Sequence, residues 1–283
     1  MKDHIIGCFY DCDGTLIPGV MQEPLFRQYG IDGKSFWQEK ERLIEQTKAR
    51  GINMDFENGY LNLLLDYVRE GKMPGLSNQR LRELGTQIEV FPGLPDFFQR
   101  TKELIEGNRL YADHHLKVEH YIVTTGLKEM VAGSVLNTPY LTDIFGSEFA
   151  EYNGVIHQIA RAVGHMKKTD FLHIANKGKN VDPAVDMNKR MLQEDRRIHF
   201  QNMKFVGDGF TDVPCFSLVG DRGGDAYGVY DSATGKAQAE TLLLEGRVKA
   251  IAPADYRSGS RFYGMFAKSL LETADGMVRD LQG

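Results

Sequence analysis

Two aspartates, Asp11 and Asp13, interrupt an apolar run in the stretch FYDCDGTL, residues 9–16. Residues two apart at the end of a strand project toward the same side but at different depths. One carboxylate can then attack a phosphorus atom as a covalent nucleophile while the other protonates the leaving group. Asp-Gly is also common in turns, so this stretch alone leaves a turn and a catalytic site both open.

Further polar residues occur where later apolar runs end. Thr124 lies in VEHYIVTTG, Lys167 and Lys168 begin KKTDFL, and Asp208 and Asp212 lie in GDGFTD. Each has an ordinary structural explanation, as a strand, turn or helix-start residue. Their joint occurrence in this order favours a site. Clustered carboxylates require a neutralising cation, and an all-oxygen ligand set suits Mg²⁺.

Three better-known motifs do not fit these residues. A calcium-binding loop starting at Asp11 needs Gly at position 16 and Glu at position 22, where the chain has Leu16 and Gln22. The dinucleotide fingerprint fails because Asp212 stands where its third Gly belongs. A phosphate loop ending in GKS (33–35) would need Gly in place of Gln28.

The elements that must position these residues form an open α/β sheet. The run 4–10, HIIGCFY, is typical of a parallel strand covered on both faces. Similar runs end at Thr124, at Asp208 and near Tyr230, with helical patterns between them. Ligands of such sheets bind outside the carboxyl ends of the strands, where the polar residues lie.

The interval 18–89 has a different residue pattern. It is rich in helical periodicity and contains no convincing core strand. Residues 35–50 read as one helix, and a second carries apolar residues at 61, 64, 65 and 68, with Asp55 as a possible cap and Gly71 as its end. We therefore expect a helical insertion that returns to the core at 90–98.

The second half of the chain contains one strong hairpin signal and one stretch without a pattern. Asn153 and Gly154 lie between alternating runs, which predicts a β-hairpin. The polar stretch 180–201 allows no assignment. From Ser260 onward the pattern predicts a closing helix.

Composition limits the possible partners and compartment. The net charge of −5, without a basic block, argues against nucleic acid. Three cysteines without metal-ligand spacing indicate free thiols in a reducing compartment. The apolar run before Asp11 is too short for a signal peptide or a membrane span. We expect a cytoplasmic protein without a membrane partner, and the oligomeric state stays open.

Four stretches together resemble a known family. DCDGT (11–15), IVTTG (122–126), KKTDFL (167–172) and GDGFTD (207–212) look like the four motifs of the haloacid dehalogenase superfamily of phosphohydrolases, and the resemblance covers nearly the whole chain. It implies an α/β fold with a Rossmann-like open parallel sheet and an inserted α-helical cap domain. The implied catalytic core comprises residues 1–17 and 90–283, and the implied cap comprises residues 18–89. The hairpin resembles an element of the phosphoserine phosphatase branch.

The resemblance also implies roles for individual residues. Asp11 would form the aspartyl-phosphate, and Asp13 would act first as general acid and then as general base. Mg²⁺ would be held by the Asp11 carboxylate, the Asp13 backbone carbonyl and Asp208, with Asp212 in support.

The same resemblance implies a phosphate-binding set of Thr124, Gly126 and Lys168. Lys167 is an alternative for the lysine, and Lys168 is preferred because of its spacing to the apolar residues that follow. Glu23 and Arg27 are candidates for substrate binding by the cap, although surface or packing positions are more typical of such residues.

The second aspartate favours phosphoester cleavage over dehalogenation. A halide leaves without a proton, whereas an alkoxide benefits from an acid such as Asp13. The sequence therefore predicts a Mg²⁺-dependent phosphatase acting on a small phosphomonoester. A phosphotransferase or mutase of the same superfamily, or a non-catalytic phosphate-binding protein, stays open as an alternative.

Overall fold

A computed structural model describes residues 3–282, which form a seven-stranded sheet. The strands are β1 (His4–Tyr10), β2 (Leu116–Leu127), β3 (Leu141–Tyr152), β4 (Val155–Arg161), β5 (Met203–Gly207), β6 (Asp225–Tyr230) and β7 (Ala250–Pro253). Their spatial order is β4-β3-β2-β1-β5-β6-β7. All neighbours pair in parallel except β3 and β4, which pair antiparallel. The predicted α/β class with a Rossmann-like parallel sheet is confirmed.

Helices cover the sheet and fill the interval after its first strand. They are α1 (Glu23–Tyr29), α2 (Gly33–Ala49), α3 (Phe56–Arg69), α4 (Asn78–Gly85), α5 (Asp96–Glu106), α6 (Arg109–Asp113), α7 (Lys128–Gly133), α8 (Lys168–Lys177), α9 (Val213–Gly220), α10 (Ala233–Leu244) and α11 (Arg261–Gln282). The first four lie in the interval predicted to be helical, and the last is the predicted closing helix.

The apolar sequence of β1 is explained by burial of both its faces. Ile6 and Tyr10 belong to the hydrophobic cluster that also contains residues of α1–α5 and α11. Ile5 and Phe9 point to the opposite cluster, which contains residues of α8–α10. This alternation is the period of two that a strand imposes. Because β1 is the middle strand, the residue that follows it lies at the centre of the sheet edge.

Within the described residues, most helices and strands begin and end near the predicted positions, and a few differ. The hairpin turn is confirmed, with positive φ at both Asn153 and Gly154. Strand β2 continues to Leu127 rather than ending at Thr124, and its pairing with β3 shifts register after Val123. Asp55 does occupy the N-cap position of α3, but its side chain makes no capping hydrogen bond.

Two further segments had no assignment from sequence. The short strand β7 was not predicted. Residues 181–199 contain turns but no helix or strand. The end of this segment is fixed by Asn176, whose backbone carbonyl accepts hydrogen bonds from the backbone N–H groups of Arg197 and Ile198 at 2.9 and 3.3 Å.

The division into residues 1–17 with 90–283 and residues 18–89 stays a prediction. Buried side chains of α1–α4 belong to the same hydrophobic cluster as residues of β1, β2 and α5. None of the helices within residues 3–282 is both long and apolar enough to cross a lipid bilayer.

Candidate active site

Asp11 lies directly after β1, at the carboxyl edge of the sheet. Its backbone N–H donates to the Val206 carbonyl of the neighbouring β5 at 2.9 Å, which fixes the backbone at this point. Its side chain is buried, and Lys168 Nζ donates to its Oδ1 at 2.7 Å. Lys168 is itself buried at the first position of α8. The centre of the sheet edge therefore carries a buried carboxylate paired with a buried lysine.

Asp208 and Asp212 lie beside Asp11 because β5 is the neighbour of β1. Oxygen atoms of the three carboxylates lie within 4.8 Å of one another. Lys168 Nζ also donates to Asp212 Oδ1, at 2.8 Å, so one ammonium group faces two of the three carboxylates. Asp212 precedes α9, yet its side chain turns to the lysine rather than capping the helix.

A glycine permits the close approach of one of these carboxylates. Gly14 has a φ of +70°, a conformation that side chains with a Cβ rarely adopt. A Cβ on this residue would also overlap the carboxylate of Asp208. The Asp-Gly pair after β1 is therefore both a turn and part of the site.

The three carboxylates fit a divalent cation. Asp212 Oδ2 is buried and accepts no hydrogen bond from any residue within 3–282, although buried carboxylate oxygens normally find a partner. Within residues 3–282, Lys168 carries the only ammonium group that contacts these three carboxylates, and the donor atoms that the carboxylates offer are all oxygens. Such a donor set suits Mg²⁺ better than softer metals.

Burial and mutual repulsion perturb the acids of this cluster. Burial raises the pKa of Asp11 to about 6, with Lys168 opposing and Asp212 reinforcing the rise. Burial likewise raises the pKa of Asp208 to about 8, with added repulsion from Asp11 and Asp212. Burial alone would lower the pKa of Lys168, but the two paired carboxylates raise it above its ordinary value. The lysine is therefore held as a cation.

Asp13 lies outside this carboxylate cluster. The Oδ1 atom of Asp13 accepts a hydrogen bond from the backbone N–H of Met21 at 3.0 Å. Asp13 as a whole is only partly buried. Burial of the carboxyl group raises the pKa of Asp13 to about 7, and the charge of Asp11 adds to the rise. A carboxylic acid with such a pKa can give and take a proton near neutral pH.

Thr124 and Gly126 lie on the other side of Asp11, in the last residues of β2. Thr124 is buried, and its Oγ1 accepts a hydrogen bond from the backbone N–H of Gly126 at 2.9 Å. The side chain of Met21 packs so closely on Gly126 that a Cβ there would overlap it. Of the two candidate lysines, Lys168 is buried within the carboxylate cluster, whereas Lys167 is exposed.

The cap candidates named from sequence line a cavity that Met21, the hydrogen-bond partner of Asp13, also lines. Glu23 and Arg27 are exposed, and Arg27 donates to Gln87 Oε1 at 3.3 Å. They line a cavity of about 280 Å³ together with Glu89, at the junction of the insertion with the core. None of the residues of the carboxylate cluster lines this cavity.

Three other residues of this region, Tyr60, Glu57 and His165, belong to no sequence motif. The hydroxyl of Tyr60, in α3, donates to the backbone carbonyl of Thr125 at 2.8 Å. Glu57, one turn earlier, contacts His165, whose Nε2 lies 2.9 Å from its Oε1. These contacts join α3 to the segments that carry Thr124 and Lys168. Glu57 begins α3 as an acidic first-turn residue, which is too common a pattern to mark a site.

Comparison with known proteins gives one similar sequence and several similar folds. No family model matches the chain. An uncharacterised protein of Borreliella burgdorferi is 30% identical over 288 residues, which covers 95% of this chain and 98% of that protein. The fold is similar to that of a probable phosphoserine phosphatase from Vibrio cholerae, with a TM-score of 0.54 and 12% identity over 97% of this chain and 68% of that one. A gene product of Archaeoglobus fulgidus has a TM-score of 0.51 and 10% identity, over 97% of this chain and 86% of the other.

Proposed function

We propose that this chain is a Mg²⁺-dependent phosphatase of small phosphomonoesters. The chain belongs to one family with the Borreliella burgdorferi protein and has the haloacid dehalogenase-like fold. The observation that carries the proposal is the cluster of Asp11, Asp208 and Asp212, two of whose carboxylates, those of Asp11 and Asp212, pair with the ammonium group of Lys168. A buried nucleophile, a fixed cation and a set of oxygen ligands are the parts that phosphoryl transfer requires.

Asp11 is the proposed nucleophile. Its carboxylate attacks phosphorus, a new O–P bond forms, and the P–O bond to the alcohol breaks. Asp13 gives its proton to the departing oxygen, which leaves as the neutral alcohol. A water molecule then attacks the phosphorus of the aspartyl-phosphate, gives its proton to Asp13, and releases inorganic phosphate and the Asp11 carboxylate.

The remaining residues of the site bind the phosphoryl group and the metal ion. Lys168 and the Thr124 hydroxyl, with the backbone of Gly126, bind the phosphoryl oxygens. Mg²⁺ would be held by the Asp11 carboxylate, the Asp13 backbone carbonyl and Asp208, with Asp212 in support, and when bound it offsets the negative charge that nucleophile and phosphate bring together. A cytoplasmic location belongs to this proposal, because all three cysteines are free and buried thiols.

Phosphate release from a panel of phosphomonoesters, with and without Mg²⁺, tests the proposal. The panel includes p-nitrophenyl phosphate, phosphoserine, sugar phosphates and nucleotides. We expect release that requires Mg²⁺ and is lost in Asp11→Asn but kept in Asp221→Asn, a matched change at an exposed position. Release that persists in Asp11→Asn would remove this residue as nucleophile. If no ester of the panel releases phosphate, a phosphotransferase or a phosphate-binding protein would be favoured instead.

A further inference from the structure

The phosphate-binding end of β2 leaves the regular ladder of the sheet. Its pairing with β3 shifts register between Val123 and Leu127, so residues 124–126 bulge out of the ladder. Two of these three residues, Thr124 and Gly126, are those proposed above to bind phosphoryl oxygens. A bulge leaves backbone groups without ladder partners, and buried backbone groups need partners. Groups from outside the ladder must therefore fix this backbone.

Two hydroxyl groups bind the carbonyl in the middle of the bulge. The Thr125 carbonyl accepts a hydrogen bond from the Tyr60 hydroxyl at 2.8 Å and another from the Ser147 hydroxyl at 2.9 Å. Both donor residues are buried. Ser147 belongs to β3, whereas Tyr60 belongs to α3. One donor thus comes from the sheet and the other from the helices that follow β1.

The direction of this carbonyl sets the direction of an N–H group on the phosphate-binding side. The peptide unit that carries the Thr125 carbonyl also carries the Gly126 N–H. Because the unit is trans and planar, the two groups point in opposite directions. The Gly126 N–H donates to Thr124 Oγ1 at 2.9 Å. A hydroxyl oxygen that accepts this bond keeps its own proton for another acceptor.

These hydrogen bonds form a chain that runs from α3 to Thr124. Tyr60 donates to the Thr125 carbonyl, and the N–H of the same peptide unit donates to the Thr124 hydroxyl. Hydrogen bonds in such a buried chain polarise one another, so each strengthens the next. Burial raises the pKa of Tyr60 well above its ordinary value, and the charge of Asp13 adds to the rise. The phenol therefore stays protonated and remains a donor.

Helix α3 makes a second polar contact near the phosphate-binding lysine. Glu57, one turn before Tyr60, has its Oε1 atom 2.9 Å from His165 Nε2. The next residue back from His165 is Gly164, whose carbonyl accepts a hydrogen bond from the backbone N–H of Lys168 at 3.2 Å. The helix therefore packs on both segments that carry the proposed phosphate-binding groups.

We propose that Tyr60 is a positioning residue: its hydroxyl fixes the Thr125 carbonyl and thereby orients the Thr124 hydroxyl as a donor to a phosphoryl oxygen, which couples the docking of α3 to phosphate binding. This assignment rests on the phosphatase function proposed above. Tyr60 acts through the Thr125 peptide unit rather than by contact with the reacting atoms. Because binding free energies are coupled reciprocally, bound phosphate stabilises the docked α3 by the same factor by which docking strengthens phosphate binding.

Tyr60→Phe tests the assignment, because it removes the hydroxyl and keeps the ring. Tyr67→Phe is the matched control: Tyr67 is also buried in α3, and its hydroxyl donates to Glu39 Oε2 at 2.7 Å, away from β2. The dissociation constant of inorganic phosphate is measured by calorimetry with Mg²⁺. The net contribution of one hydrogen bond predicts binding about 3 to 10 times weaker in Tyr60→Phe and unchanged in Tyr67→Phe. Urea unfolding of both variants shows whether they lose similar stability.

A second change shows whether Tyr60 acts through Thr124. Thr124→Val removes the hydroxyl at the end of the chain. In that background Tyr60→Phe should weaken phosphate binding by less than about twofold, because the two changes interrupt the same chain.

Amide hydrogen exchange of α3 measures the reciprocal effect. Saturating inorganic phosphate should slow exchange in α3 of the unmodified chain and of Tyr67→Phe, and should slow it less in Tyr60→Phe. The measurement on the unmodified chain holds even if Tyr60→Phe does not fold.

The possible results separate this assignment from the phosphatase proposal. The positioning role would be overturned by unchanged phosphate affinity in Tyr60→Phe, by an equal loss in Tyr67→Phe, by a full loss in the Thr124→Val background, or by no effect of phosphate on exchange in α3. Failure of the unmodified chain to bind phosphate would overturn it too. Mg²⁺-dependent hydrolysis of p-nitrophenyl phosphate would still support the phosphatase. Phosphate binding that depends on the Tyr60 hydroxyl, without hydrolysis of any ester, would support the positioning role and overturn the phosphatase.

Discussion

Lys168 Nζ lies 2.7 Å from Asp11 Oδ1, and both side chains are buried although 157 residues separate them in the chain. The same ammonium group lies 2.8 Å from Asp212 Oδ1. Removing one partner from a buried ion pair leaves the other charge without compensation. This lysine therefore links the stability of the core to the charge balance of the candidate active site.

Lys168→Met keeps an unbranched side chain that is one heavy atom shorter, and it removes the charge. We expect it to lower the free energy of unfolding without Mg²⁺ by about 3–5 kcal/mol, because buried carboxylates lose their counter-charge. Turnover should fall by about 10²- to 10³-fold, as for loss of one charged donor. Urea unfolding and phosphate release measure the two effects. Lys167→Met is the control, and a larger loss in that variant would show that the wrong lysine was chosen.

Much of the candidate site could be predicted because its residues follow strands. Asp11 and Asp208 each come directly after an apolar run, and parallel strands place their carboxyl ends at one edge. The spacing to the following apolar residues favours Lys168 over Lys167, and the structure adds that Lys168 is buried beside the carboxylates whereas Lys167 is exposed. The role of Lys168 in phosphate binding stays a prediction. Glu57 could not be found, since its partner His165 is distant in sequence and the contact depends on how α3 packs.

The same reasoning explains which elements of the fold were missed. Strand β7 has only four residues, too few for a periodic pattern to stand out. The end of β2 was placed too early, at Thr124, because the apolar run stops there, whereas the strand continues through Gly126, which lies under the side chain of Met21. Residues 181–199 form no regular element, so no period could be read from them.

Asp13→Asn should affect esters according to their leaving groups. An alkoxide needs a proton as it departs, whereas p-nitrophenolate leaves without one. We expect kcat/KM for alkyl phosphates to fall about 10²- to 10⁴-fold and that for p-nitrophenyl phosphate to fall much less. Because kcat/KM reports the steps up to formation of the aspartyl-phosphate, later loss of the general base does not obscure the comparison. Equal losses on both kinds of ester would exclude Asp13 as the acid.

The carboxylate cluster predicts opposite effects of Asp208→Asn with and without Mg²⁺. Without the ion, the variant should melt at a higher temperature than the unmodified chain, because burial, reinforced by repulsion from Asp11 and Asp212, makes the ionised form of Asp208 unfavourable and raises its pKa. With Mg²⁺ at about 100 times its dissociation constant, the unmodified chain should gain about 2.7 kcal/mol and several degrees. The variant should gain much less.

Thermal unfolding with increasing Mg²⁺ measures both effects. Asp221→Asn, at an exposed position, should respond to Mg²⁺ as the unmodified chain does. A Mg²⁺ response that survives in Asp208→Asn would place the ion elsewhere.

His120 predicts a loss of stability in acid. The ring is fully buried: Tyr10 Oη lies 3.1 Å from its Nδ1, and the Phe98 carbonyl lies 3.1 Å from its Nε2. Burial lowers its pKa from 6.5 to about 3, so the unfolded chain binds more protons between these values. Stability therefore falls as the pH drops from 6.5 toward 3, by about 2 kcal/mol at pH 5.

The His120 contribution is obtained by difference, because the acids of the site titrate in the same range. Urea unfolding at pH 7 and pH 5 should show that the unmodified chain loses about 2 kcal/mol more than His120→Gln does. His157→Gln, at an exposed position in β4, should behave as the unmodified chain. Identical pH dependence in the unmodified chain and His120→Gln would show that the folded chain accepts a protonated ring at this position.

Gly14→Ala separates backbone strain from damage to the carboxylate cluster. Gly14 and Gly19 have φ values of +70° and +68°, so alanine at either position should cost about 1 kcal/mol in the free energy of unfolding. Only at Gly14 does the new Cβ overlap the Asp208 carboxylate, whereas nothing lies within 4 Å of it at Gly19. We therefore expect Gly14→Ala to lose most of its Mg²⁺-induced rise in melting temperature and its turnover, and Gly19→Ala to keep both. Retention of both in Gly14→Ala would mean that Asp208 can move without harm to the site.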